Sequence, residues 1–395
     1  MSKNNIALKF LFCVYILGIS LPSFFIGIAS FPIIIWPLGF LLGYRLIFNK
    51  SYIKTMCFLI ISILSLVFFS MNKSVSQIEI LKSALGTFAF LSTLIILPTL
   101  LIKETKNSIL ILKIILFIHL VAFFLEYFGW FNAKDAGIAI YGFAQGDSRT
   151  IIQSRVSGLT VEPSWYSLTV SLISYYLLKQ KALSRWLFLV IISSLILSDS
   201  AIGIFSIFLL FAAYIWSIAK SQYFNNYRFH PFLELGTIIV FLSIVIWVEI
   251  FFSFINNIIS EELFFKIFFP FQNASGYIRF ISPVSYIYDL FKQFPVTGFG
   301  FDYLNSVGCK ENVGTSILPF NIILELGLLG LAVYTSTVWF VLKKNKPQII
   351  DFIWMIFVLI SIGMPYNPYN AFLIILSITG ISHGAALHKS SSFQQ

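Results

Sequence analysis

Charge is scarce in this sequence. Only 11% of its 395 residues are Asp, Glu, Lys or Arg, against 58% hydrophobic, whereas a soluble domain carries roughly 25% charged residues. That deficit excludes an ordinary water-soluble globule. Cysteine is rare too. Cys13, Cys57 and Cys309 lie far apart without a CxxC spacing, so neither a disulfide framework nor a metal site is expected. No GxGxxG follows a strand pattern and no GK[ST] occurs, so neither a dinucleotide fingerprint nor a P-loop is present.

What fills the chain instead is apolar sequence in runs too long for buried core helices. Crossing a bilayer takes about 20 mostly apolar residues, and such runs follow one another along the chain. The 45 phenylalanines read as lipid-facing filler. The net charge of +10 would suggest nucleic acid in a soluble protein. Here it reads as the positive-inside bias of membrane loops, so membrane lipids are the expected surroundings and nucleic acid is not an expected partner. The N-terminus imitates a secretory signal, with Lys3 and Lys9 ahead of an apolar stretch and small residues near Ala29. The apolar sequence resumes at once from Phe31 to Phe48, which makes the first stretch an uncleaved span.

The expected fold is therefore an all-α polytopic membrane protein forming a single integral membrane domain over residues 1–395, with about 12 spans. These run Leu8–Ala29, Phe31–Phe48, Thr55–Ser70, Ala84–Ile102, Ile109–Phe128, Ser164–Leu178, Trp186–Leu197, Ala201–Ala219, Leu235–Phe254, Ile317–Leu342, Ile349–Met364 and Ala371–Leu387. A re-entrant hairpin at Ser198-Asp199-Ser200 would change the count. Orientation follows from the short loops. Lys50 and Lys54, Lys103 and Lys106, Lys179, Lys181 and Arg185, Lys220 and Arg228, Lys343, Lys344 and Lys346, and Lys389 fall on one side with Lys3 and Lys9. That side is read as the cytoplasm, with both termini facing in. Two outward segments are long, from Gly129 to Pro163 and from Asn256 to Ser316 (loops 129–163 and 256–316). Loops beyond about 15 residues are usually functional or disordered, and these are too apolar and aromatic for disorder.

The first long loop returns to the membrane through Arg155, Gly158, Glu162, Pro163 and Ser164. Pro suits a first helical turn and Ser a cap, so Glu162 lies at a helix N-terminus, where the dipole favours a carboxylate. Two readings stay open here: Glu162 caps while Arg155 snorkels to headgroups, or both serve a site. The second loop carries Arg279, then Tyr286, then Pro295-Val296-Thr297-Gly298-Phe299-Gly300, and the span after it contains Glu325-Leu326-Gly327-Leu328-Leu329-Gly330. Gly327 and Gly330 read as close helix packing in the bilayer, and Glu325 as lying near the outer interface.

Together, the Arg-x-x-Gly-x-x-x-Glu-Pro-Ser of Arg155 to Ser164, the Arg279 ahead of Pro-x-x-Gly-x-Gly, and the Glu-x-Gly-x-x-Gly of Glu325 to Gly330 resemble the O-antigen polymerase and ligase superfamily of membrane glycosyltransferases. The resemblance covers roughly Phe128 to Leu342, and the first four spans add only hydropathy. It implies an all-helical enzyme of the bacterial inner membrane that acts on undecaprenyl-diphosphate-linked glycans, as donor and as acceptor. A chain-length regulator is a further implied partner. The ligases carry a functional histidine in the second loop, expected near Ser316. This chain has only His119, His230, His383 and His388, none in either long loop, which favours polymerase over ligase. In the turn Leu197-Ser198-Asp199-Ser200-Ala201, many relatives have an Arg after the Ser, so its role is left open.

The chemistry assigns roles. Arg holds phosphate oxygens in a planar fork and stays charged, which suits Arg155 and Arg279, with Arg149 third, to a leaving diphosphate. Stabilising charge that grows on a leaving group is usually the largest catalytic effect. Glu162 is the candidate general base. Trp165, Tyr166 and Tyr286 are candidates to stack on sugars, each weighed against an interfacial aromatic belt. Gly298, Gly300 and Glu325, carried by the motif resemblance, complete the substrate-binding set. No cofactor is expected, because a lipid-diphosphate donor is already activated, and no metal motif is visible. The rival from another class is a transporter, such as a flippase for the same glycan. Transporters place charges and broken helices at mid-membrane, while here the irregular sequence lies outside the spans.

Overall fold

A backbone in hydrocarbon must satisfy its own N–H and C=O groups, and a single segment does so only as a helix. The computed structural model is mainly helical over the residues it describes, namely 3–21, 25–26, 29–47, 50–71, 76–130, 156–160, 162–223, 287–288, 292–301, 303, 317–345, 347–363 and 366–379. In chain order the helices are α1 (Lys3–Ile19), α2 (Phe31–Ile35), α3 (Pro37–Ile47), α4 (Lys50–Ser70), α5 (Gln77–Lys103), α6 (Thr105–Tyr127), α7 (Pro163–Lys179), α8 (Arg185–Leu197), α9 (Ala201–Tyr223), α10 (Leu318–Asn345), α11 (Ile349–Ser361) and α12 (Pro368–Ile378). Phe25–Ile26 and Ala29–Ser30 form a minimal antiparallel pair.

Every expected span has a helix on it except Leu235–Phe254, which lies outside the described residues. Among the described residues, length singles out four helices as spans. Tyr52–Ser70, Gln77–Lys103, Thr105–Tyr127 and Leu318–Asn345 are long and apolar enough to cross a membrane, and six further apolar stretches are shorter. The first expected span ends ten residues early, at Ile19, where the Ser20 hydroxyl donates to the Leu17 carbonyl at 2.8 Å and Pro22 follows in sequence. The second divides into α2 and α3, because Pro37 supplies no N–H to continue the ladder. α5 starts seven residues before the expected Ala84. Its first turn is polar, capped by Ser76 and carrying a Glu79–Lys82 pair at 2.7 Å, features that hydropathy does not register.

The interior is mostly apolar, and apolar side chains cover the outside as well. Along α6, Leu110, Ile114, Phe117 and Val121 recur on one face and are exposed, while α7 buries Ser167, Thr169, Ser171 and Ser174. Apolar side chains face outward and small hydroxyl residues allow close approach inside, as helices packing in lipid require.

The chain divides into two compact units. One comprises Met1–Ile111, Pro270–Lys346 and Met355–Ile375, the other Leu112–Phe269, Pro347–Trp354 and Leu376–Gln395. In the first, α5 packs against α3, α4 and α10, and Gly86 admits the backbone of Tyr366 so closely that a Cβ there would overlap it. Tyr52 on α4 shares a 2.9 Å hydrogen bond with Thr99 on α5, and Lys344 on α10 donates to the same hydroxyl at 2.9 Å. The start of α4 and the ends of α5 and α10 therefore meet at one end of this unit, which gathers Lys54, Lys103, Lys343 and Lys344 there.

In the second unit α7 packs on α8 and α9. The Ser167 and Ser198 hydroxyls pair at 3.0 Å, and the α8–α9 turn passes through Asp199 at φ 48°. At the far end of α7, the buried Asp351 accepts from Tyr175 and pairs with Lys179 at 2.5 Å, while its other oxygen takes the Gln348 N–H at 2.8 Å. Removing one partner of a buried pair strands the other charge, at about 3–5 kcal/mol. Asp351→Asn should therefore lower the thermal stability of the purified protein in detergent by about that amount. The double substitution Asp351→Asn with Lys179→Met should recover most of the loss. Additive losses in the double variant would show that the pair does not hold this end of α7.

Candidate functional site

In the second unit the site is built around the turn that leads into α7. α6 ends in a left-handed glycine: Gly129 has φ 73°, and Trp130 N–H returns to the Leu125 carbonyl at 2.9 Å, a common helix stop. From the last turn of α6, one oxygen of the Glu126 carboxylate accepts the Ser157 N–H at 2.9 Å and the Gly158 N–H at 2.6 Å. Gly158 has φ 58°, and a Cβ on it would lie 3.3 Å from the Phe123 backbone nitrogen. Conformation and close approach both call for glycine. The Thr160 hydroxyl then donates to the Ser157 carbonyl at 2.8 Å and to the Glu162 carbonyl at 2.9 Å, closing the turn.

Glu162 is the N-cap residue of α7, extended at φ −134° and ψ 148°, with Pro163 behind it at the first helical position. Its backbone carbonyl accepts from Trp165 and Tyr166, both at 3.1 Å. Its side chain makes no capping bond. The expected Ser164 cap does not form either: Ser164 lies inside the first turn and its hydroxyl donates to the Glu162 carboxylate at 3.1 Å. A half-buried carboxylate thus stands at the positive end of a helix.

Trp165 is half-buried. Tyr166 departs from the expected sugar platform. It is fully buried, its ring stacked on Phe123 at 4.5 Å and 17°, so it works as packing between α6 and α7. Arg149, Arg155, Arg279 and Tyr286 lie outside the described residues. Of the four histidines, His119 is described, fully buried on α6.

In the first unit the motif around Gly298 and Gly300 and the motif around Glu325 form one element. α10 is broken at Gly327, with φ 62° and ψ −160°. A break strands carbonyls on one side and N–H groups on the other. The segment from Phe294 to Gly300 takes them up. Phe299 N–H donates to the Leu324 carbonyl at 2.9 Å, and Gly300 N–H to the Glu325 carbonyl at 2.8 Å. Leu328 and Leu329 N–H groups donate to the Pro295 and Val296 carbonyls at 3.1 and 3.0 Å. A Cβ at Gly298 would overlap the Glu325 backbone, and one at Gly327 would overlap Val296 and Gly298. The segment is anchored further by Ser70, whose hydroxyl oxygen accepts the Phe301 N–H at 3.2 Å.

This corrects one expectation. Gly327 serves a helix break filled by a loop, not packing between straight helices. Glu325 is 1% exposed and lies directly before the break. Gly298 and Gly300 are likewise engaged by the backbone of α10. Glu126 was missed at the sequence level, because a Glu at the end of an apolar span gives no sign of a partner 31 and 32 residues away. No protein-family model matches this chain, and no curated protein matches it.

Proposed function

We propose that this chain is an O-antigen polymerase of the bacterial inner membrane, multi-pass with both termini cytoplasmic, joining undecaprenyl-diphosphate-linked repeat units on the outer face. The observation that carries the reading is the place of the Glu162 carboxylate, half-buried at the N-terminus of α7 on a turn tied to α6. In the proposed reaction an acceptor sugar hydroxyl gives its proton to Glu162. Its oxygen bonds to the anomeric carbon of the donor chain, and the bond from that carbon to the diphosphate breaks. Undecaprenyl diphosphate leaves with its charge held by Arg155 and Arg279, with Arg149 nearby in sequence. Trp165 and Tyr286 are the remaining candidates for sugar stacking. A chain-length regulator is the proposed protein partner.

A second reading, transport of the same lipid-linked glycan, draws support from the broken α10 beside the buried Glu325, since transporters use half-helices and unwound backbone to hold ions and substrates. The same geometry counts against it. The Leu324 and Glu325 carbonyls and the Leu328 and Leu329 amides freed by the break are bonded to the loop and so are committed already.

Cells lacking the protein should make lipopolysaccharide capped with one repeat unit and no ladder, because ligation continues without polymerisation. Loss of even the single capped unit would point to a ligase or a flippase instead.

A further inference from the structure

The two groups assigned to the reaction in the first long loop, Arg155 and Glu162, flank the short turn that Glu126 holds. Glu126 is the penultimate residue of α6. A carboxylate there faces the negative end of the helix dipole, an unfavourable place for an anion. It is compensated by the two N–H groups it receives, Ser157 at 2.9 Å and Gly158 at 2.6 Å. Charge-assisted bonds of this kind are shorter and roughly twice as strong as neutral ones. From Ser157 the constraint passes through the Thr160 hydroxyl to the Glu162 carbonyl.

We propose that Glu126 is a positioning residue, whose carboxylate fixes the Ser157–Gly158 backbone and thereby sets Glu162 for glycosyl transfer. The role is one of reach. A single oxygen accepts both N–H groups, so any side chain that brings a carbonyl oxygen to that point serves. Displacement of a reacting group by about 1 Å costs on the order of a hundredfold in rate. The activity readout rests on the polymerase reading, and a second readout does not.

The test compares three variants, each corrected for membrane abundance. Glu126→Gln retains length and a carbonyl oxygen and should keep the wild-type ladder. Glu126→Asp keeps the charge but falls about 1.5 Å short, and with Glu126→Ala it should lose long chains, on the order of a hundredfold in rate. In parallel, hydrogen exchange of the purified proteins in detergent should show the Ser157 and Gly158 amides protected in wild type and Glu126→Gln. In Glu126→Asp and Glu126→Ala they should exchange on the order of tenfold faster or more. Activity in Glu126→Asp with loss in Glu126→Gln would overturn the inference in favour of a role for the charge. Wild-type ladders from all three variants, or loss of the ladder in Glu126→Gln, would also overturn it. If Glu126→Ala fails to accumulate, the Gln and Asp pair decides. If the wild-type protein makes no polymer, the polymerase reading fails, and the exchange pattern still tests whether Glu126 holds the turn.

Discussion

Glu162→Gln should abolish growth of long glycan chains while leaving the protein at its normal abundance in the membrane. General-base assistance typically contributes about 10²–10⁴-fold, and an amide cannot take the proton. The stability side is small. Loss of a capping side chain costs about 1 kcal/mol, and here there is no capping bond to lose. The attraction of a carboxylate to a helix N-terminus is about 0.3–1 kcal/mol, and the Ser164 hydroxyl retains an oxygen to donate to. Activity and stability therefore separate at this residue. Arg279→Lys should fail alongside it, since an ammonium does not reproduce the two-pronged hold on phosphate. The measurement is the ladder of each variant against its membrane abundance. Wild-type ladders from Glu162→Gln and Arg279→Ala at normal abundance would sink the proposed site.

The largest effects on folding are expected at Gly298 and Gly327. Each has a positive φ, and at Gly327 the ψ of −160° puts the backbone in a region essentially reserved for glycine; each also lies where a Cβ would overlap the backbone of the other's segment. Pushing the two apart loosens four backbone hydrogen bonds in an apolar setting, where each unsatisfied group costs several kcal/mol. Gly298→Ala and Gly327→Ala should each destabilise by on the order of 4 kcal/mol or more, a large part of a typical total. Little protein should accumulate, and what does should unfold early in detergent. Gly129 supplies the control. It has φ 73° and nothing within 4 Å of where a Cβ would stand, so Gly129→Ala should incur only the conformational cost, about 1–2 kcal/mol. If Gly327→Ala melts no earlier than Gly129→Ala, the filled break does not hold α10 together.

The helices were legible because their cause is local. Apolar runs in lipid form helices for want of another way to satisfy the backbone, and the residues of each run are contiguous. The start of α7 was legible as well, since the fixed φ of Pro163 suits a first turn, and this put Glu162 at the helix end before any coordinates. The breaks were partly legible: Pro22 and Pro37 were visible, yet long apolar runs outweighed them, so the first span was drawn too long and the second unbroken.

What only the tertiary structure decided has a common physical origin, the pairing of groups far apart in the chain. Composition shows that Gly327 and Gly298 are glycines. It does not show that a helix opens at one so that a loop carrying the other can bond its stranded carbonyls and amides. Periodicity marks Glu126 as a charge at the end of a span and Tyr166 as an aromatic near an interface. Packing makes the first a holder of backbone amides and turns the second inward onto Phe123. The sequence alone determined that this chain forms apolar helices with polar motifs between them, because that depends on each segment's own hydropathy. Which backbone groups are consumed in holding the fold, as those of Gly300, Leu328 and Leu329 are, was decided by contacts that only folding brings about.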